Sequence, residues 1–188
     1  MRLVVGITGA SGAIYGVRLL EVLAGRAEVF LLVSEVGEMV LQHECDMSRD
    51  DLKGFVKEFF DVNDFMAPIA SGSFKFDAMV IIPCSMKTLG MIANGIAHNL
   101  ITRCADICLK EGRKLVVVPR ETPLSAIHLE NMLKLARLGV TILPASPGFY
   151  GRPKTVNELV DFVVGKVLDV LGIESALFER WGDEGMVG

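Results

Sequence analysis

Five short apolar runs recur along this chain, and segments with helical periodicity lie between them. The runs are rich in β-branched residues and occupy residues 3–7, 29–33, 78–82, 115–118 and 140–143. They are mostly apolar rather than alternating, which is typical of strands that helices cover on both faces. The regular order of strand and helix predicts an α/β fold, in which a doubly wound parallel sheet forms the middle of three layers.

The segments between the runs predict five helices, at residues 14–23, 51–60, 89–109, 124–138 and 156–171. We expect the third helix to break near residues 95–99, which begin with Gly95 and end with Asn99. Thr122 is the expected N-cap of the fourth helix, with Pro123 at its first position. Thr155 and Glu158 form a capping-box pattern at the start of the fifth. We expect one domain of 188 residues, with residues 172–188 as a C-terminal tail.

Composition limits the partners that such a chain can have. The net charge of −4 argues against a nucleic-acid binder, because binding to the phosphate backbone needs a basic surface. No apolar run reaches the roughly 18 residues that span a bilayer, so we expect no membrane segment. Nothing in the cysteine pattern requires an oxidising compartment, and we expect a cytoplasmic protein.

The cysteines and histidines do not have the spacing of a metal site. Cys104 and Cys108 lie one helical turn apart and can in principle bind a metal, but two small buried residues on a helix face are the favoured interpretation. The histidines are scattered and show no HxxxH or HExxH spacing. We therefore expect no bound metal.

A glycine-rich turn follows the first apolar run and leads into a helix. Gly6, Gly9 and Gly12 recur every third residue, with Thr8 and Ser11 between them. A helix start presents free N–H groups and a partial positive charge, so we expect an anion, most simply a phosphate, at this turn. The spacing is not GxGxxG, which favours a mononucleotide such as FMN over a dinucleotide. The alternative is a turn that only packs the helix against the strand.

Polar loops follow the other runs at the edge of the sheet where ligands collect, the carboxyl ends of the strands. Ser34 follows the second run, and residues 83–88 follow the third. In the latter segment Ser85, Lys87 and Thr88 stand at a strand-to-helix junction, where they can hold a phosphate or the polar edge of a flavin. Alternatively, Ser85 is an ordinary helix N-cap.

Charged side chains near these loops are open to two interpretations. Arg120 and Glu121 follow the fourth run, where they can orient an anion and move a proton, or form a surface ion pair of little consequence. Arg103 and Lys110 lie seven residues apart on one predicted helix, which lines the same cleft or faces solvent.

The last third of the chain adds two candidates. Tyr150 lies in a loop rich in glycine and proline, PGFYGRP, which is typical of a ligand pocket. Lys166 is flanked by apolar residues in the last predicted helix, so it either has a function or belongs to a solvent-facing stripe.

Four motifs in this order resemble those of the UbiX-type flavin prenyltransferases. They are GITGASGAIYG at residues 6–16, PCSMKT at 83–88, PRETP at 119–123 and PGFY at 147–150. The resemblance covers residues 3–173. It implies a flavodoxin-like Rossmann fold, FMN as a bound substrate and dimethylallyl monophosphate as the donor of a prenyl group that is joined to flavin N5 and C6. It also implies a UbiD-type decarboxylase as the recipient of the product, and a homo-oligomer, a dodecamer in related proteins, with sites at subunit interfaces.

The resemblance also assigns roles to residues by their position in these motifs. The residues that would hold FMN are Gly9, Ala10, Ser11, Ser34, Ser85, Met86, Lys87, Thr88 and Arg120. Those that would hold the prenyl phosphate are Tyr150 and Lys166, with contributions from Lys110, Arg103 and Glu121. Trp181 corresponds to an aromatic residue near the site. Glu121 is the candidate for the proton steps, Ser11 for a relay and Lys110 for stabilising the departing phosphate.

Two other functions remain open at this point. One is an FMN-dependent decarboxylase of cysteine-type substrates, which shares the fold but uses a PASANT-like segment and a catalytic histidine. The corresponding segment here is PCSMKT, and no histidine has an obvious claim to that role. The other is a non-catalytic FMN carrier, in which Arg120, Glu121, Tyr150 and Lys166 would have no chemical purpose.

Overall fold

The computed structural model describes residues 1–182, and within them a six-stranded parallel sheet forms the centre of the fold. The strands, in chain order, are β1 (Arg2–Ile7), β2 (Glu28–Val33), β3 (Glu58–Phe60), β4 (Ala78–Cys84), β5 (Lys114–Pro119) and β6 (Thr141–Ile142). The helices are α1 (Ala13–Leu23), α2 (Glu35–Cys45), α3 (Met86–Ala93), α4 (Leu100–Glu111), α5 (Ala126–Arg137) and α6 (Val156–Leu171). Two 3₁₀ helices, Asp50–Phe55 and Pro68–Ala70, lie between β2 and β4.

All five apolar runs form strands, which confirms the predicted sheet. The prediction of a helix over residues 51–60 is wrong. A 3₁₀ helix ends at Phe55, and residues 58–60 form the edge strand β3, which pairs with β2. Pairing with β2 buries Phe60, and this long-range pairing overrides the local helical pattern.

The helices follow the predicted order with two corrections. Helix α2 was not expected, because it buries only Gly37 and Leu41 and so lacks an apolar stripe in its sequence. Helix α5 begins at Ala126 rather than near residue 124, and its N-cap is Ser125 rather than Thr122. The reason is a capping box in which the Ser125 hydroxyl accepts the N–H of His128 and the His128 ring accepts the N–H of Ser125.

Other helix predictions are confirmed. The third predicted helix is broken into α3 and α4, and Gly95 lies between them with a φ of 68°. Helix α6 spans Val156–Leu171 and is capped by Thr155, whose hydroxyl accepts the N–H of Glu158. The Glu158 carboxylate in turn accepts the N–H of Lys154.

The strand order is β3-β2-β1-β4-β5-β6. Without the edge strand β3, this is the doubly wound order of flavodoxin, in which the chain reverses direction across the sheet between β1 and β4. Helices cover both faces: Gly16 of α1 lies against Ile7, and Ile101 of α4 lies against Gly6 on the opposite face. The α/β fold class is confirmed, and ligands are expected at the carboxyl ends of β1 and β4, where the order reverses.

The described chain forms two compact units. The first comprises Met1–Pro144 and contains the whole sheet, and the second begins at Ala145 and contains α6. The expectation of one domain stays a prediction.

Candidate active site

The loops after β1 and β4 are tied together at the point where the strand order reverses. Thr8 is buried, and its hydroxyl donates to the carbonyl oxygen of Pro83 at 2.8 Å. The same hydroxyl accepts the N–H of Ser85 at 2.8 Å, and the N–H of Thr8 donates to the Pro83 carbonyl. One buried threonine therefore fixes the glycine turn and the start of α3 relative to each other.

The loop after β5 joins the same cluster. Arg120, half-buried, donates from Nε to the carbonyl oxygen of Ser11 at 3.0 Å. The ends of β1, β4 and β5 thus meet at one edge, as the sequence predicts for parallel strands. Glu121, the next residue, is exposed, and its Oε1 accepts the N–H of Thr122.

The start of α1 is occupied by a carboxylate of the protein itself. Oε2 of Glu44, near the end of α2, accepts the N–H of Gly12 at 2.7 Å and that of Ala13 at 3.0 Å. Burial raises the pKa of Glu44, but hydrogen bonds from Ser11, Gly12 and Ala13 and the charge of Arg120 outweigh it and leave the pKa below its ordinary value. A phosphate cannot use these two N–H groups unless Glu44 leaves them.

The glycines around α1 permit close packing, as the alternative interpretation of the turn requires. A Cβ on Gly9 would clash with the Val36 side chain, and one on Gly16 would lie 2.7 Å from the carbonyl oxygen of Ile82. Gly12 has a φ of 102°, which other residues rarely adopt. Ala10 is buried. The glycines of this segment therefore have a packing role.

The start of α3 has a different composition. Ser85 is its N-cap, as the alternative interpretation has it, with its hydroxyl 3.3 Å from the N–H of Thr88 and 3.1 Å from the Thr88 hydroxyl. Lys87 is exposed in the first turn, and the partly buried Met86 packs against the core. Within residues 1–182 the structure places no carboxylate on the N–H groups of this turn. Ser34 caps the neighbouring helix α2, accepting the N–H of Gly37 at 3.0 Å.

Two predicted site residues, Arg103 and Lys110, lie on α4. Helix α4 ends at Glu111 and β5 begins at Lys114, so Lys110 lies near the amino-terminal edge of the sheet. Arg103 donates from Nε to the carbonyl oxygen of Ala70 and pairs with Asp106 at 2.9 Å. Within a single chain, Lys110 is therefore not brought to the carboxyl edge.

The remaining candidates lie in the second unit. Tyr150 makes edge-to-face contacts with Phe162 of α6 and with Trp181, at ring-centroid distances of 5.7 and 5.6 Å. Lys166 is exposed on α6, and its Nζ lies 3.7 Å from Asp169. Tyr150 and Trp181 are thus brought together.

Three of the four cysteines are buried thiols, and Cys104 and Cys108 are the small buried residues that the sequence favoured. Cys84, Cys104 and Cys108 are buried, and burial raises the pKa of each to about 12. Among residues 1–182, no group of three or more His, Cys, Asp or Glu side chains could hold a metal ion. In the same range no helix is both long enough and apolar enough to cross a bilayer.

The sequence and the fold of this chain match those of known proteins. A family model described as Flavoprotein matches residues 1–168. The flavin prenyltransferase UbiX of Methanocaldococcus jannaschii is 54% identical to this chain, over 97% of the chain and 99% of the relative. The chain belongs to the UbiX flavin prenyltransferase family.

Solved structures agree with membership of the UbiX family. A dodecameric FMN-dependent UbiX-like decarboxylase from Escherichia coli has a TM-score of 0.94 at 48% identity, covering 96% of this chain and 99% of that one. AnUbiX (PadA1), in complex with FMN and dimethylallyl pyrophosphate, has a TM-score of 0.93 at 43% identity, covering 96% of each chain. Peptidyl-cysteine decarboxylase EpiD, at 22% identity and a TM-score of 0.61 over 78% of this chain and 81% of its own, shares the fold alone.

In this UbiX family member, sequence reasoning missed one residue at the centre of the cluster, Glu44. It lies 31 residues from Ala13 in the chain, at the end of a helix that the sequence did not predict. The only available signal was a helix start without an acidic residue in its own first turn, which leaves N–H groups for a distant carboxylate.

Proposed function

We propose that this protein is a flavin prenyltransferase, which transfers the dimethylallyl group of dimethylallyl monophosphate to N5 and C6 of reduced FMN. The observation that carries the proposal is the cluster at the carboxyl edge, where Thr8 ties Ser85 to the glycine turn and Arg120 binds Ser11 beside the Glu44 carboxylate. In a member of the UbiX family, this set of hydroxyl, guanidinium and carboxylate groups suits both flavin binding and proton transfer.

The donor groups present at this edge fit FMN. Hydroxyls of Ser34, Ser85 and Thr88 and the guanidinium of Arg120 suit a phosphate and the carbonyl and ring-nitrogen edge of a flavin. Lys87 in the first turn of α3 is unfavourable for the helix dipole, and a bound anion would compensate for it. The residues proposed to hold FMN are those inferred from the motifs, Gly9, Ala10, Ser11, Ser34, Ser85, Met86, Lys87, Thr88 and Arg120.

Reduced FMN supplies the two nucleophilic positions, N5 and C6, that receive the prenyl group. In the donor, the allylic C–O bond breaks and its electron pair leaves with the phosphate. The former allylic carbon bonds to N5. The far carbon of the prenyl double bond bonds to C6 while the middle carbon takes up a proton, and one proton leaves each of N5 and C6. The protein must therefore stabilise the leaving phosphate and accept protons.

Ser11 and Glu44 are suited to move a proton. Glu44 is ionised at neutral pH, and the Ser11 hydroxyl is hydrogen-bonded to it. A serine bonded to a carboxylate can take a proton from a bound substrate and pass its own to the carboxylate. We assign the relay to Ser11 with Glu44, and we retain Glu121 as a second group for the proton steps, since it follows Arg120 directly.

Tyr150 and Lys166 supply a phenol and an ammonium for the phosphate of the donor, with Trp181 beside Tyr150. A hydroxyl donor and a cation stabilise the charge that develops on a departing phosphate. Lys110 contributes from a neighbouring copy of the chain, because within one chain it lies at the opposite edge of the sheet. Arg103 of α4 contributes a second cation.

The proposal therefore includes a homo-oligomer, and we propose the dodecamer that the E. coli relative forms. Helix α5 supports self-association. Leu129 and Leu133 are about half exposed, and with Ala126 and Ala136 they form a seam at the spacing of coiled-coil contacts. Further parts of the proposal are a UbiD-type decarboxylase as recipient of the product and a cytoplasmic location, where free thiols such as those of the four cysteines stay reduced.

The test is the mass of the flavin after incubation of the protein with reduced FMN and dimethylallyl monophosphate in the absence of oxygen. We expect a flavin that is heavier by one five-carbon prenyl unit. A parallel incubation with the pyrophosphate shows which donor is used. If the flavin is bound but its mass is unchanged with both donors, the protein is a carrier. Decarboxylation of a peptide with a C-terminal cysteine would instead assign it to the cysteine decarboxylases.

A further inference from the structure

The segment after α6 is anchored to that helix by a two-pronged ion pair. Arg180 donates from Nη2 to Oδ1 of Asp169 at 2.7 Å and from Nη1 to Oδ2 at 3.0 Å. The Asp169 side chain is only 25% exposed, so solvent screens this pair less than an ordinary surface pair. The hydrogen bonds from Arg180 lower the pKa of Asp169 despite its partial burial, and the carboxylate is ionised at neutral pH.

A continuous line of aromatic rings runs from this anchored segment to Tyr150. Phe178 packs on Phe162 at a centroid distance of 4.9 Å, Phe162 contacts Tyr150 at 5.7 Å, and Tyr150 contacts Trp181 at 5.6 Å. Tyr150 is therefore held between a ring of α6 and a ring of the C-terminal segment. Arg180 lies next to Trp181 in the chain, and its guanidinium also lies 5.2 Å from the centre of the Phe178 ring.

Two glycines make this arrangement sterically possible. A Cβ on Gly165 would lie 2.5 Å from the Phe178 ring, and one on Gly148 would lie 3.0 Å from Phe162 and 3.1 Å from Tyr150. The ring stack thus fits closely against α6 and the Tyr150 loop, and it constrains a tyrosine that lies in a segment without regular secondary structure.

The same carboxylate also faces Lys166. The Nζ of Lys166 lies 3.7 Å from Oδ2 of Asp169, the oxygen that accepts the hydrogen bond from Nη1 of Arg180. Asp169 therefore connects the C-terminal segment with the lysine that is proposed to bind the donor phosphate. An ammonium on a flexible four-carbon chain gains a defined position from such a contact.

We propose that Asp169 and Arg180 are positioning residues for the prenyl donor. Their ion pair holds Trp181 against Tyr150 and keeps Lys166 in place, so that the phenol and the ammonium are presented together to the donor phosphate. This inference rests on the proposed function and goes beyond it, because neither residue is among those proposed to hold the donor and neither belongs to the motifs that define the flavin site.

The test combines kinetics with the fluorescence of Trp181, which is the single tryptophan of the chain. In R180M and D169N we expect the KM for dimethylallyl monophosphate to rise by about five- to tenfold, because the ion pair that orders the donor-binding groups is lost. We expect kcat and the dissociation constant of FMN to change by less than a factor of about two. The fluorescence anisotropy of Trp181, measured without flavin, should fall as its segment gains freedom. R180K, which keeps the charge but loses the two-pronged geometry, should be intermediate.

The matched control is K154M, which removes a cation from the same unit outside the ion pair and should match the wild type in every measurement. An unchanged KM and anisotropy in both R180M and D169N would overturn the proposal. An equal loss in kcat and FMN affinity would also overturn it, because it would show a general structural role. A wild-type protein that forms no prenylated flavin refutes the proposed function and this role together. An active wild type, with R180M unchanged in KM and anisotropy, refutes this role alone.

Discussion

Two helices begin at the carboxyl edge of the sheet, on either side of the point where the strand order reverses, and their starts differ in charge. At the start of α1, the Gly12 and Ala13 N–H groups donate to the carboxylate of Glu44. At the start of α3, Ser85 caps the helix and Lys87 lies in the first turn. In sequence both are small, hydroxyl-rich turns that lead from a strand into a helix. One turn is thus closed by an anion of the protein, whereas within residues 1–182 no carboxylate binds the N–H groups of the other, which suits the ligand anion that we propose there.

The largest expected effect comes from removing the negative charge of Glu44 at the start of α1. We expect E44Q to lower the rate of prenyl transfer roughly 100-fold, because an amide cannot accept the proton that Ser11 passes on. FMN affinity should stay close to that of the wild type. Single-turnover kinetics with reduced FMN measure the transfer, and fluorescence titration measures the affinity.

The control for this change is E38Q, which alters a partly exposed glutamate of the same helix that pairs with Arg49. It should transfer the prenyl group at the wild-type rate. If E44Q did the same, Glu44 would be only a cap of α1, and the proton relay would have to be assigned elsewhere.

A matched pair of glycine substitutions tests whether α1 is packed more tightly than α3. In G16A the new Cβ would lie 2.7 Å from the Ile82 carbonyl oxygen, and we expect a loss of about 2 kcal/mol in the free energy of unfolding. In G90A of α3 the new Cβ has an ordinary contact with Asn131 at 3.5 Å, and we expect a gain of up to about 1 kcal/mol from helix propensity. Urea denaturation measures both, and equal effects would show that α1 is no more tightly packed than α3.

The second helix start is tested by its cap. We expect S85A to weaken FMN binding about tenfold, because the hydroxyl and the order of the α3 start are both lost. S125A removes the corresponding cap of α5, where the hydroxyl likewise accepts an N–H three residues on. Both variants should lose about 1 kcal/mol of stability, but only S85A should lose affinity for FMN. Equal affinities would remove the α3 start from the flavin site.

The smallest expected effect is the pH dependence of the contribution that Glu44, at the start of α1, makes to the stability of the protein. Because folding lowers the pKa of Glu44, its ionised form stabilises the native state above the ordinary pKa of glutamate, roughly 4.3, and this contribution is lost as the pH falls through the lowered value. The stability of the wild type relative to E44Q should therefore increase with pH from the acid side and then level off. If the difference in stability between the wild type and E44Q did not vary with pH, the charge of Glu44 would not contribute to the stability of the native state.

Sequence reasoning succeeded where the signal is local. Each of the five apolar runs contains a strand, and short apolar runs rich in β-branched residues are a local pattern typical of strands in a parallel sheet. It also succeeded at the meeting of the strand ends, because the topology of a parallel sheet brings Ser11 and Arg120 to one edge although they lie 109 residues apart.

Sequence reasoning failed where a strand, a helix or a contact depends on residues that are distant in the chain. The strand at Glu58–Phe60 exists through its pairing with β2, and α2 buries too few residues to show an apolar stripe. The carboxylate of Glu44 reaches the start of α1 only in the folded chain, so no local pattern indicated that the protein places its own anion there. The role of Asp169 was missed for the same reason, because its partner Arg180 follows eleven residues later, beyond the end of α6.

A crystal structure of the protein with FMN bound tests the contrast between the two helix starts most directly. The account predicts that the phosphate oxygens lie within hydrogen-bond distance of the α3 start at Ser85 and Thr88, and that Glu44 still accepts the N–H groups of Gly12 and Ala13. A phosphate bound to those two N–H groups, with Glu44 displaced from them, would contradict it.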